Sequence, residues 1–163
     1  MLENQIKTIL NRYGAKIVTQ LQKRLSDDQS SATGRAIKSL GYEVKEVQKR
    51  TKLNVRGKKY IFVIDSGRAS GKKPPPINKI KRWINAKGIK PYKKKFKSKN
   101  LAFAISKSIG KKGTSWWAGR KGVGTGLLRF VIDKNKQPLS NELLEVLAAD
   151  IERQIKETQK DVN

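Results

Sequence analysis

The chain has 163 residues, with 38 Lys and Arg against 13 Asp and Glu, a formal charge of +25, and 36% apolar side chains. No apolar run reaches the roughly 20 residues of a membrane span, and the N-terminus lacks the apolar core of a signal peptide. The absence of Cys and His excludes a disulfide framework, a thiol nucleophile and thiolate metal sites, and removes the commonest general base.

Residues 2–25 place Leu2, Ile6, Ile9, Leu10, Tyr13, Ile17, Leu21 and Leu25 at helical spacing, which predicts one long helix with a buried stripe. Gly14 interrupts it at a cost of ~1 kcal/mol. Asp27-Asp28-Gln-Ser-Ser breaks the pattern, and Thr33-Gly34 opens a short helical piece with Ala36, Ile37 and Leu40 that Gly41 is expected to end. Tyr42 to Val47 alternates apolar and charged residues as a half-buried strand does, Leu53 and Val55 continue the strand, and Val55-Arg-Gly57-Lys58 reads as a hairpin turn. Tyr60 to Ile64 is almost wholly apolar and reads as a central strand.

Pro75 and Pro76 suit the start of a helix whose apolar face is Ile77, Ile80, Trp83 and Ile84, with Gly88 as left-handed cap and Ile89 folding back on the last turn. Residues 90–99 are basic and aperiodic. Asn100 is placed to cap a helix carrying Leu101, Ile105 and Ile109, and residues 110–126, with six glycines and the pair Trp116-Trp117, read as a loop. Leu127 to Ile132 reads as a last strand. Ser140 or Asn141 then opens a terminal helix with Leu143, Leu147, Ile151 and Ile155 on one face. The expected fold class is α+β: a small antiparallel sheet packed by several helices, one domain over 1–163, with a basic arm at 90–99 and a Gly-rich arm at 110–126.

Charge is distributed unevenly. Residues 66–132 hold 19 Lys and Arg and no acid, whereas residues 1–65 carry a net +8 and residues 133–163 a net −2. Such a block implies an anionic partner, either nucleic acid or an acidic protein surface. Lys90, Lys93, Lys94, Lys95, Lys97 and Lys99, interleaved with Tyr92 and Phe96, form the first set of binding candidates. Trp116, Trp117, Arg120 and Lys121 form the second. The aromatics suit either anchoring in a protein partner or stacking on bases, and the arm-like segments favour the protein.

Chemical readings fail one by one. The stretch Asp65-Ser-Gly-Arg-Ala-Ser-Gly-Lys-Lys-Pro-Pro-Pro76 suggests a phosphate-binding loop, but Gly67 and Gly71 are one residue too close and Lys73 occupies the place of the magnesium-holding hydroxyl. Three prolines also remove the amides that would face a phosphate. Glu43 and Lys45 lie on one strand face as in a metal-dependent nuclease, yet only Asp27 and Asp28 could supply a second carboxylate. A strand with charged residues facing water explains the pair more simply. No cofactor and no enzymatic activity are expected. Gly67 and Gly71 instead read as a structural corner that turns the chain off the central strand. Pro75 and Pro76 then set the entry angle of a helix that Trp83 packs onto the sheet, and Gly88 closes it.

The order of motifs carries more than any one of them. A helix leads to Ala32-Thr-Gly-Arg-Ala-Ile-Lys-Ser39, then a strand pair, then Gly67-Arg68, Gly71, Pro75-Pro76, Ile80, Trp83 and Lys87-Gly88-Ile89. Ala102-Phe-Ala-Ile105, Ile109 and Gly113-Thr114 come next. In this order the chain resembles the tail-completion or head–tail joining (neck) proteins of tailed bacteriophages over roughly residues 1–115, with a matching terminal helix. Where that family continues with Pro-Phe after Gly-Thr, this chain has Trp116-Trp117 and a glycine–arginine segment, and its lysine run is longer. The resemblance implies a non-enzymatic virion protein, made in the bacterial host cytoplasm and assembled as a homo-oligomeric ring between portal and tail. Its basic arms would dock on acidic faces of connector, portal or tail neighbours, or touch DNA without sequence preference. The alternative from charge alone is a free basic nucleic-acid-binding protein.

Overall fold

The computed structural model describes residues 2–27, 34–48, 50–91, 98–114 and 124–161, the side chains of 98, 99 and 161 excepted. Among them are six helices and one two-stranded antiparallel sheet, so the fold class is α+β. The elements are α1 (Leu2–Asp27), α2 (Arg35–Ser39), β1 (Gly41–Val47), β2 (Arg50–Arg56), α3 (Tyr60–Ser66), α4 (Ile77–Lys87), α5 (Ser98–Lys112) and α6 (Leu127–Asp161). They form two compact units, each discontinuous in sequence: Met1–Arg24, Ser39–Gly57 and Leu128–Asn163 make the first, Leu25–Lys38 and Lys58–Leu127 the second.

In the first unit α1 buries the expected stripe, with Ile9, Leu10, Tyr13, Ile17 and Leu21 below 9% exposure. Gly14 lies under the ring of Tyr42 from β1, and a Cβ there would land on that ring. The glycine that weakens the helix on its own is therefore what lets the sheet approach it. Gly41 does not end α2; it opens β1 opposite Arg56. The sheet pairs Val44 with Leu53 and Val47 with Arg50, so the reversal runs through Gln48 at φ 52°, not through residues 55–58. Val55 and Arg56 are the last residues of β2. Helix α6 runs antiparallel to α1: Arg24 stacks on Phe130 at 4.0 Å, Gln20 accepts from the buried Asn135 at 2.7 Å, and Arg12 pairs with Glu142.

Two expected strands are helices. Tyr60 to Ile64 lies in α3, where Ile61 alone is fully buried while Phe62 and Val63 face outward at 63% and 51% exposure. Leu127 to Ile132 opens α6, burying Leu127 and Val131, and Asn135 follows one further step of four along the helix. Both runs are short and apolar, a pattern that does not separate strand from helix. Helix α6 continues through Pro138, so Ser140 and Asn141 are interior residues, not a cap.

In the second unit α4 packs against α5. Ile80 and Ile84 meet Ala102, which is wholly buried, with Ile89, Leu101, Ile105 and Ile109 around them. The alanine leaves room for the two helices to approach closely. At the end of α4, Gly88 is left-handed (φ 63°), its N–H bonds Asn85 O at 3.2 Å, and Ile89 N–H bonds Ile84 O at 3.0 Å. That is the double C-terminal bond with its apolar contact that the Lys-Gly-Ile sequence predicts. Trp83 lies on α4, the helix that meets α5, the expected central strand is itself helical, and the indole stays 40% exposed.

Candidate partner-binding surface

The corner at Gly67 holds this surface together. Helix α3 ends where Gly67, at φ 74°, donates to Val63 O at 2.9 Å. Gly71 repeats the positive φ four residues later. Between them Arg68 donates through its guanidinium to the Lys73 carbonyl, folding residues 68–73 into a strap. The strap then lies on α5: Ser106 Oγ donates to Pro75 O at 2.6 Å, and a Cβ on Gly110 would stand 2.7 Å from the Pro74 ring. Gly110 is thus a contact glycine inside a helix. Its small size admits the proline.

Both stems of the Gly-rich arm are tied to the same corner. On one side Arg68 N–H donates to Thr114 Oγ1 at 2.7 Å and Thr114 N–H to Arg68 O at 3.0 Å. On the other, Thr125 N–H bonds Ile64 O at 3.0 Å and Gly126 N–H bonds Asp65 O at 2.9 Å. A Cβ on Gly124 would collide with the backbone of residues 64, 65 and 67. Residues 64–68 therefore receive the chain on both sides of the arm, so its two ends are held by one short segment. Spacing alone does not reveal these anchors. Gly113-Thr114 and Thr125-Gly126 are visible in the sequence, but nothing there says that both address one turn.

The predicted binding residues divide by position. Lys90 is exposed just beyond the Gly88 cap, and Lys99 belongs to the first turn of α5. Lys93, Lys94, Lys95, Lys97, Trp116, Trp117, Arg120 and Lys121 lie outside the described residues, as do Tyr92 and Phe96. The basic arm leaves after Pro91 and returns at Ser98, which begins α5 two residues before the expected cap Asn100. Around these stems, Lys72, Lys73, Lys79, Lys81, Arg82, Lys107 and Lys111 are all exposed. With no acid between residues 66 and 132, their charge meets no carboxylate from the same stretch. Partial burial raises the pKa of the Tyr60 phenol, with Arg35 opposing the shift.

Beside the strap runs a groove of about 450 Å³ with Pro75, Pro76, Ile77 and Phe103 along it and Lys73 and Lys107 at its rim. Phe103 is 54% exposed and Ile77 40%. Phe103 escapes a periodicity argument because only its neighbours Leu101 and Ile105 fit the buried stripe. Glu43 is ion-paired to Lys45 at 3.2 Å and Arg56 at 3.5 Å, Asp27 is the last residue of α1, and Asp28 lies outside the described residues.

Comparison with protein-family models, with curated proteins and with solved structures returned no match.

Proposed function

We propose that this chain is a non-enzymatic structural protein of a tailed-bacteriophage particle, part of the head-to-tail connector. It works as a ring of copies that docks through its basic segments on neighbouring subunits or DNA. The observation that carries the reading is the collinear run of motifs from Ala32-Thr-Gly-Arg to Gly113-Thr114. What the geometry adds is a role for several of these residues in presenting arms. Arg68 bonds Thr114 at one stem of the Gly-rich segment, Ile64 and Asp65 bond Thr125 and Gly126 at the other, Pro74 and Pro75 seat on α5, and the Gly88 cap precedes the lysine run. A surface this basic suits an acidic protein face, or DNA that has come to rest, because counterion release would hold moving DNA in place.

The test is mass spectrometry of gradient-purified particles from the source culture, before and after a high-salt wash. A connector component co-purifies with capsid-sized particles and survives the wash. Absence from particles, or complete removal by salt, overturns the reading and favours the free nucleic-acid binder, which should then show preference for particular sites or structures. In particles that do contain the protein, replacing Lys93, Lys94, Lys95 and Lys97 with Gln should impair assembly while the isolated chain stays folded.

A further inference from the structure

On α5, Phe103, Ser106, Lys107 and Gly110 follow one another along one strip of the helix. The strap covers the C-terminal part of that strip, through the Ser106–Pro75 bond at 2.6 Å and the contact of Pro74 with Gly110, and leaves Phe103 54% exposed. Pro75, Pro76 and Ile77 line with Phe103 a groove of about 450 Å³, inside the range of about 300–1,000 Å³ typical of ligand pockets. The groove is formed before anything enters it. Prolines stiffen one wall, and the bonds of Arg68 to the Lys73 carbonyl and of Ser106 to the Pro75 carbonyl hold that wall in place. Little ordering is left to be done on binding. Two properties select the occupant. Inside, the only polar side chain apart from the lysines is Ser106, whose hydroxyl proton is already given to Pro75 O. A base or sugar seated there would leave polar edges unpaired, whereas Leu or Phe needs no partner. The rim is cationic: Lys73 and Lys107 stand on it, exposed Lys72 and Lys111 come next along the strap and along α5, and residues 66–132 contain no acid.

We propose that this groove is the docking site for an acidic segment of a neighbouring protein. Leu or Phe side chains of that segment sit between the proline wall and Phe103, and flanking Asp or Glu meet Lys73 and Lys107. The apolar anchor supplies most of the affinity, and the charges supply orientation and discrimination against basic or neutral partners. The inference rests on the connector reading and deepens it, giving the chain's contact with a neighbour a place and a chemistry.

The probe is the fluorescein-labelled peptide Gly-Asp-Glu-Leu-Phe-Glu-Asp-Gly, titrated with the full chain at about 0.1 M salt and read by fluorescence anisotropy. One control peptide has Ser in place of Leu and Phe, and another has Asn and Gln in place of Asp and Glu. The parent peptide should bind, and each control should bind on the order of tenfold more weakly. Phe103→Ser should weaken the parent peptide by a similar factor and leave the Ser peptide unchanged. Lys73→Glu with Lys107→Glu should weaken it far more than Lys134→Glu with Lys136→Glu, which removes the same charge from α6. All these side chains are exposed, so no variant disturbs a core. Binding that ignores both the peptide's apolar residues and Phe103 overturns the proposal, since it is then the attraction of a +25 chain for any acid. Equal losses in the two charge-reversal pairs overturn it in the same way. Tighter binding of single-stranded oligothymidylate, lost in Phe103→Ser, assigns the groove to nucleic acid and also overturns it. A parent peptide that does not bind, with the protein present in washed particles, removes this groove and leaves the connector reading standing. The expected peptide binding by a protein absent from particles does the reverse.

Discussion

At the scale of single residues, three glycines are placed by contact rather than by turn geometry. Gly14 sits under Tyr42, Gly110 under Pro74, and Gly124 against the backbone of residues 64–67. Gly14→Ala would gain about 1 kcal/mol of helix propensity yet force the Tyr42 ring aside, so we expect a net loss of about 1–2 kcal/mol. In a Tyr42→Ala background the same change should become neutral or stabilising, and urea denaturation followed by circular dichroism would read this cycle directly. A uniform effect in both backgrounds would mean that the ring does not set the cost. Gly124→Ala should be worse, at the top of or beyond the roughly 1–3 kcal/mol typical of overpacking, since the obstructing atoms are backbone and cannot swing away. All three tryptophans fall in the second unit, so tryptophan fluorescence should register Gly124→Ala and leave Gly14→Ala largely unseen.

The elements invite a sharper test at Pro138. A proline inside a helix lacks one hydrogen bond and crowds the preceding turn, a cost of about 3 kcal/mol against alanine. If α6 is continuous, Pro138→Ala should raise the urea midpoint by an amount equivalent to about 1–3 kcal/mol. If a helix begins only at Asn141, the substitution should do almost nothing. The same residue explains why this part of the fold is hard to read from sequence. Taken as a stop signal, Pro138 separates Leu127–Ile132 from the rest of α6 and leaves a six-residue apolar run that looks like a strand. The helical step Leu127, Val131, Asn135 is present, but its third member is polar, and its bond to Gln20 at 2.7 Å is not written in local sequence. Helices α1, α4 and α5 are legible because their buried residues recur at three and four, and the α4 cap because Lys-Gly-Ile has a specific backbone meaning. Strand β1 is legible by alternation, whereas its turn is not, since Gln48 is not a residue type that announces positive φ. Of the candidate surface, the charge is plain from composition. The common anchorage of both stems of the Gly-rich arm is not, because it depends on carbonyls that every residue has.

For the molecule as a whole, charge is the dominant fact, and it is partitioned between the units. The second holds 22 Lys and Arg against three acids, the first 16 against ten. Self-repulsion of this size opposes compaction and is screened by salt, the Debye length falling to about 10 Å at 0.1 M. Raising sodium chloride from about 20 mM to about 0.5 M should therefore move the tryptophan-detected transition of the second unit to higher temperature. Circular dichroism, which also includes the first unit, should shift less. Equal shifts would indicate that repulsion is not concentrated where the sequence puts it.

The discontinuity of the first unit has a consequence in time. Its core joins α1 to α6, which is synthesised about a hundred residues later, through pairs such as Arg12 with Glu142 and Gln20 with Asn135. During synthesis α1 must wait for more than a hundred residues with Ile9, Tyr13, Ile17 and Leu21 uncovered, while the second unit, closed at Leu127, completes ahead of it. A nascent chain stalled near residue 127 should accordingly carry one finished unit and one sticky helix, a natural client for chaperones that hold exposed apolar segments.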